Sequence, residues 1–119
     1  MIKTILFLFS FFVCAFSYAQ QEEAWIYLSE KTNVDTYFNN PLTMLSQRAL
    51  DRRIRQGIAL DDRDIPLDAG TVSAISNTVG VTVMAKSKWL NALHVRGTKT
   101  AIDSLSNFSG VASITYGDN

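Results

Sequence analysis

The chain has 119 residues, of which 47% are hydrophobic and 18% are charged, and its 11 basic and 11 acidic side chains balance at neutral pH. This size and polarity fit one small domain, and the charge balance gives no reason to expect nucleic acid or an anionic membrane surface as a partner. One cysteine and one histidine exclude a disulfide framework and a zinc site of the usual composition.

The first 19 residues have the pattern of a secretory signal peptide. Lys3 gives a short cationic start, and residues 5–16 form an uncharged stretch rich in phenylalanine. Ser17 and Ala19 are small residues at the positions that a signal peptidase reads before Gln20. The apolar run is too short for a transmembrane helix, which needs about 20 residues.

Cys14 bears on whether this leader is removed. It lies inside the apolar run rather than at its end, where a lipoprotein anchor would require it. We therefore expect residues 1–19 to be cleaved as a signal peptide and residues 20–119 to form one domain without cysteine. That domain is expected to be secreted and to have no membrane association after cleavage.

Four segments rich in aromatic and β-branched residues are predicted as strands. In chain order they are residues 24–29, 81–85, 89–95 and 111–116. Lys86-Ser87-Lys88 is expected to connect the second strand to the third, and residues 30–39 are expected to be a loop.

The first predicted helix runs from the capping pair Asn40-Pro41 to the stop at Gly57. Its apolar side is formed by Leu42, Leu45, Ala49, Leu50 and Ile54. Its arginines at 48, 52, 53 and 55 are expected to be solvated, although the alternative is that they contact an acidic patch.

Two further helices are predicted, and an acidic loop precedes them. Asp68 is expected to cap a helix to Thr78 that presents Val72, Ile75 and Val79, and Thr100 with Asp103 has the form of a capping box. Ile102, Leu105 and Phe108 lie on one side of that last helix. The acidic loop at 61–64 lacks the glycine and the glutamate of a calcium loop, so we expect a solvated turn.

The order of elements predicts an α+β fold. Without the first helix it reads β-α-β-β-α-β, the ferredoxin-like arrangement of an antiparallel sheet with both helices on one face, and the extra helix is an insertion after the first strand. A sheet covered on one face should alternate apolar and polar residues. The third strand does not: Trp89, Leu93 and Val95 fall on one face, and Leu90 and Ala92 fall beside His94 on the other.

The second strand is similar, with Val81, Val83 and Ala85 on one face and Met84 on the other. An apolar sheet face that its own chain does not cover is typical of a docking surface. The predicted docking surface consists of Met84, Trp89, Leu90, Ala92 and His94.

No catalytic constellation is visible. His94 is the only histidine that a nucleophile could use as a base, and it lies among large apolar strand residues. Asp61 and Asp64 have no apolar flanks that would separate their pKa values for acid–base work. We therefore expect no catalytic residue, no metal and no cofactor in this chain.

Three stretches resemble the N-terminal regions of secreted bacterial subtilisin-like serine proteases. They are PLTMLSQRALDRR at 41–53, DIP at 64–66 and SKWLNAL at 87–93. The resemblance implies that the region is the inhibitor-like propeptide, exported through the bacterial inner membrane. In this family the open sheet face packs on two helices of the catalytic domain, and a C-terminal extension occupies the substrate cleft.

The resemblance thus implies a subtilisin-like catalytic domain, normally in the same precursor, as the partner. It also implies that Tyr116, Gly117, Asp118 and Asn119 begin the segment that enters the cleft. The chain would then act as a folding template and a temporary inhibitor. The alternatives are a free-standing secreted protease inhibitor and a small extracellular adhesion module whose apolar strand face self-associates.

Overall fold

A computed structural model of the chain describes residues 1–2 and 20–117. Most of the predicted signal peptide, residues 3–19, lies outside the described residues. So do Asp118 and Asn119, the last two residues of the predicted cleft segment.

Four strands form one antiparallel sheet. They are β1 (Gln21–Leu28), β2 (Val81–Ser87), β3 (Ala92–Thr98) and β4 (Val111–Tyr116), and they lie in the order β2-β3-β1-β4. β1 and β3 are therefore central, and β2 and β4 are edge strands. This order and the helices between the strands confirm the predicted α+β fold of ferredoxin-like type.

Four short α-helices accompany the sheet: α1 (Val34–Asn39), α2 (Gln47–Gln56), α3 (Ala69–Ser76) and α4 (Lys99–Ser104). Single 3₁₀ turns occur at Pro41–Thr43, Asp62–Asp64 and Leu105–Asn107. We call residues 30–64, which connect β1 to the rest of the domain, the insertion.

The hydrophobic core lies between one face of the sheet and the helices α3 and α4. Ile26 on β1 is opposite Leu93 on β3, and both are fully buried. Ile75 of α3 and Ile102 of α4 pack in the same cluster. Because side chains alternate along a strand, the residues between these core positions are on the other face of the sheet.

Asp68 is the N-cap of α3, as the sequence predicts. It accepts hydrogen bonds from the hydroxyl of Thr32 at 2.7 Å and from the backbone N–H and hydroxyl of Thr71 at 2.9 and 2.8 Å. These bonds hold the pKa of Asp68 below its ordinary value of 3.8, and the bond from Thr32 contributes most to this shift.

We expect Asp68→Ala to lower the free energy of unfolding by about 1–2 kcal/mol at neutral pH, because it removes this cap from a helix of poor intrinsic propensity. Since the pKa of Asp68 is depressed in the folded state, its contribution is fully present above pH 3.8 and is lost as the pH falls through the folded pKa. Urea unfolding of both proteins across this range measures the difference. Asp35→Ala is the control, because Asp35 is exposed in α1, and an equal loss in both variants would contradict the prediction.

The insertion differs from the prediction in two places. Residues 34–39 form α1 instead of loop, with Val34 and Tyr37 partly buried despite low helix propensity. The helix predicted from Pro41 instead breaks after a 3₁₀ turn and restarts at Gln47, because Ser46 caps the N–H of Ala49 and Asn40 makes no such side-chain bond. Its end at Gly57, with φ of 65°, is as predicted.

The predicted apolar side of this helix is not a buried face. No residue of α2 is buried, and Leu42 and Ile54 are 61% and 78% exposed. Val79, predicted on the apolar side of the next helix, is also exposed because α3 ends at Ser76.

The connection between β2 and β3 is also shifted. Ser87 pairs with Ala92, so the turn consists of Lys88, Trp89, Leu90 and Asn91, the last with φ of 50°. The prediction that Trp89 and Leu90 lie in the third strand is therefore wrong. The physical reason is that Asn91 tolerates the left-handed conformation that ends this turn, whereas large apolar residues give no turn signal.

The last helix begins two residues before the predicted capping box. Thr98, the last residue of β3, already has an extended backbone. Its side-chain oxygen accepts a hydrogen bond from the N–H of Ala101 at 3.2 Å. Thr100 is inside the helix instead. Gly97 just before it is required by close packing, since a Cβ there would lie 2.2 Å from the carbonyl oxygen of Gly80.

Candidate docking face and chain exit

The face of the sheet opposite the core carries aromatic and polar side chains from both central strands. We call it the open face: Glu23, Trp25 and Tyr27 on β1, Ala92, His94 and Arg96 on β3, and Thr82 and Ala85 on β2. Trp25 is directly opposite His94, and their ring centroids are 5.3 Å apart. This pair forms the aromatic centre of the face.

A small charged cluster adjoins this centre. Glu23 Oε2 lies 3.2 Å from His94 Nε2, and Arg96 Nε donates to Glu23 Oε1 at 2.9 Å. The pKa of Glu23 is lowered, first by the hydrogen bond and charge of Arg96 and then by His94. The cluster fixes the His94 ring beside Trp25, and Glu23 is its only hydrogen-bond partner within the described residues.

The open face is accessible over much of its area. Thr82, Ala85 and Arg96 are exposed, Trp25 and Tyr27 are partly buried, and Met84 is 45% exposed. Met84 is the extra residue of a β-bulge between Val83 and Ala85. The bulge puts Ala85 opposite His94, so the prediction that Ala85 shares a face with Val83 is wrong.

The predicted docking residues thus fall in two places. Ala92 and His94 are on the open face, although Ala92 is itself fully buried, and Met84 is beside them. Trp89 and Leu90 are 65% and 53% exposed at the end of the sheet, in the β2–β3 turn. Their contact with a partner remains a prediction.

Sequence reasoning missed Trp25 and Tyr27 as members of this face. The signal for them was present, because they alternate with the apolar residues Ala24, Ile26 and Leu28 along the first strand. Applying period-two alternation to β1 as well as to β2 and β3 would have found them.

The insertion is held together by an internal ion pair, and Lys31 ties it to the end of the sheet where β1 finishes. Arg53 and Asp64 form a two-bond ion pair, with Arg53 Nη1 donating to Asp64 Oδ2 at 2.6 Å, and the Asp64 side chain is only 3% exposed. Lys31 Nζ donates to the carbonyls of Asp62 and Lys88 at 2.5 and 2.6 Å. The prediction of a solvated turn is therefore wrong at Asp64, although Asp62 and Arg63 are exposed, and the prediction of a solvated Arg53 is wrong because its guanidinium pairs with Asp64.

Trp89 belongs to this end of the domain. The guanidinium of Arg63 lies 5.4 Å from the centre of its ring, and a small cavity is lined by Trp89, Ile58 and Asp64 among others. The exposed Trp89 therefore extends the surface of the insertion, not the centre of the open face.

The chain leaves the sheet at the opposite end. Because β4 is antiparallel to β1, Tyr116 at the end of β4 pairs with Ala24 near the start of β1. Gly117 continues the pairing by one bond, from its N–H to the carbonyl of Glu23 at 3.0 Å. Gly117 thus lies next to Glu23 of the open face, whereas the side chain of Tyr116 is on the core side of the sheet.

Among residues 1–2 and 20–117, no cluster of three or more histidine, cysteine or acidic side chains is arranged to bind a metal ion. The helices of this described part are all too short or too polar to cross a lipid bilayer.

Comparison with protein families identifies the family of this domain. The model of a family described as "Peptidase S8 propeptide domain, Bacteroidota" matches residues 23–119. Searches of curated proteins and of solved structures found no match to the chain. The match includes every strand and helix of the domain except the first two residues of β1.

Proposed function

The chain belongs to the family of peptidase S8 propeptide domains of the Bacteroidota, and from this membership we propose that it serves a subtilisin-like catalytic domain as folding template and temporary inhibitor. That catalytic domain is normally part of the same precursor, and the precursor is exported by the signal peptide at 1–19. The open face docks on the catalytic domain, and the segment that begins at Tyr116 enters its substrate cleft.

The open face is the observation that carries this proposal. One side of the sheet faces the hydrophobic core and is covered by the helices α3 and α4. The other side has Trp25 and His94 at its centre and exposed residues around them. Interfaces are enriched in such aromatic side chains at their centres and in polar groups at their rims.

A template role follows from linkage. A domain that binds the folded protease and not the unfolded chain shifts the folding equilibrium toward the folded form, in proportion to its affinity. Occupation of the cleft by the departing chain then blocks substrate until the propeptide is removed. Within residues 20–117 only one helix is longer than eight residues, which suits a domain that opens locally and is digested after release.

The test is the binding and inhibition of a purified subtilisin-like protease by residues 20–119. We expect competitive inhibition, and we expect the chain to raise the yield of active enzyme when the denatured protease is refolded with it. A chain that binds no such protease but forms dimers in ultracentrifugation would support the adhesion module instead. Inhibition without any effect on refolding would favour the free-standing inhibitor.

A further inference from the structure

Tyr116 is attached to the helical layer just before the chain leaves the sheet. Its ring is partly buried against the core, and its hydroxyl donates to Asp103 Oδ1 of α4 at 2.5 Å. Lys99 Nζ lies 4.9 Å from the centre of the same ring and donates to Asp103 Oδ2 at 2.7 Å. Lys99 and Asp103 thus bracket Tyr116, the last side chain of β4, and we call these three residues the exit clamp.

Asp103 and Tyr116 keep the same ionisation over the neutral range. The hydrogen bonds from Lys99 and then from Tyr116 lower the pKa of Asp103, so it is an ionised acceptor. Burial, together with the bond to Asp103, raises the pKa of Tyr116 to about 12, so its hydroxyl keeps the proton that it donates.

The backbone is held at the next residue. The N–H of Gly117 donates a hydrogen bond to the carbonyl of Glu23 at 3.0 Å. A side chain at this position would also fit, since a Cβ on Gly117 would lie 3.8 Å from that oxygen. Glu23 is also the carboxylate of the charged cluster on the open face. Glu23 therefore connects the open face with the point at which the chain leaves the sheet.

We infer that Tyr116 is a positioning residue that sets the direction in which the chain leaves the sheet toward the protease cleft. Fixing this direction before binding lowers the conformational entropy that ordering the segment would otherwise cost. The inference rests on the proposed function, because it assumes that the departing segment occupies the cleft.

The test compares Tyr116→Phe, which removes only the hydroxyl, with Tyr37→Phe in the insertion, where the tyrosine hydroxyl has no hydrogen bond within the described residues. Each chain is assayed as an inhibitor of a purified subtilisin-like protease. Each is then titrated onto the same protease after a covalent inhibitor has filled its cleft, so that only docking by the sheet is measured.

We expect Tyr116→Phe to inhibit about fivefold more weakly, which corresponds to the loss of one hydrogen bond, with docking to the blocked protease unchanged. Asp103→Ala, which removes the acceptor, should likewise weaken inhibition without changing docking to the blocked protease, and Tyr37→Phe should change neither constant. Equal inhibition by Tyr116→Phe and the original chain, or an equal loss in both assays, would overturn the inference.

A measurement on the free chain separates this inference from the proposed function. Amide hydrogen exchange at Gly117 is expected to be about fivefold faster in Tyr116→Phe, because the hydroxyl no longer holds the end of β4. Unchanged exchange would refute the exit clamp even if the chain inhibits. If the original chain neither inhibits nor docks, the proposed function fails and the positioning role fails with it.

Discussion

Asp64→Ala is expected to lower the free energy of unfolding by about 2–3 kcal/mol, measured by urea unfolding at neutral pH. The variant leaves the guanidinium of Arg53 in a mostly buried position without its carboxylate, and breaking a buried pair is far costlier than breaking one on the surface. It also removes the acceptor for the N–H of Asp61 at 3.1 Å. Partial exposure of Arg53, at 22%, keeps the expected loss below that of a fully buried pair.

The neighbouring arginines of α2 provide a matched control. Arg53→Ala should be about as destabilising as Asp64→Ala, whereas Arg52→Ala should change stability by less than about 0.5 kcal/mol, because Arg52 is exposed and has no ion pair within the described residues. The double variant Arg53→Met with Asp64→Leu should recover part of the loss. Similar losses in Arg52→Ala and Arg53→Ala would show that the pair does not stabilise the folded insertion.

A charged side chain placed on the open face should abolish most of the affinity for the protease. Ala85 is exposed and opposite His94, so Ala85→Arg adds a long cation beside the aromatic centre without disturbing the core. We expect binding to a subtilisin-like protease to weaken by about 100-fold, the effect typical of disrupting an interface centre.

The same substitution on the other side of the domain is the control. Ala74 is an exposed residue of α3, in the helical layer, and arginine is a good helix former there. Ala74→Arg should leave affinity within about twofold, and both variants should unfold at the same urea concentration as the original chain. Equal binding by the two variants would mean that the open face is not the docking surface.

Local signals in the sequence predicted much of the fold. The last strand, residues 111–116, has the predicted bounds, since it is short, β-branched and follows Gly110. Asp68 is the N-cap that the sequence indicates, and the strand order is the one that the β-α-β-β-α-β pattern implies. These features are determined by residues close together in the sequence, so local sequence patterns predict them.

The features that were not predicted depend on distant partners or on competing local signals. Nothing in spacing pairs Arg53 with Asp64, because the pair forms only when the insertion folds back on itself. The sequence predicts caps at Asn40 and Thr100, whereas α2 and α4 are capped by Ser46 and Thr98, where the backbone is already extended. In the hairpin, the large apolar residues Trp89 and Leu90 favour a strand in the sequence, whereas the structure follows the turn preference of Asn91.

The candidate site was predicted in part for the same reason. His94 and Ala92 were placed on the uncovered face by alternation, whereas the bulge at Met84 reverses the alternation and moved Ala85 to that face. A bulge inserts one residue without a sequence signal strong enough to be read from one chain. The family match at 23–119 supports a propeptide, and the docking residues remain to be tested by the variants above.

The same bulge has a consequence for the chain before it meets its partner. β2 is an edge strand, and regular edges with free N–H and C=O groups are templates on which further copies can add strands and grow into aggregates. The irregularity at Met84 and the exposed cation of Lys86 interrupt that template midway along its length. A domain with an aromatic sheet face that its own helices do not cover thus has, at β2, an irregular edge that disfavours fibre growth.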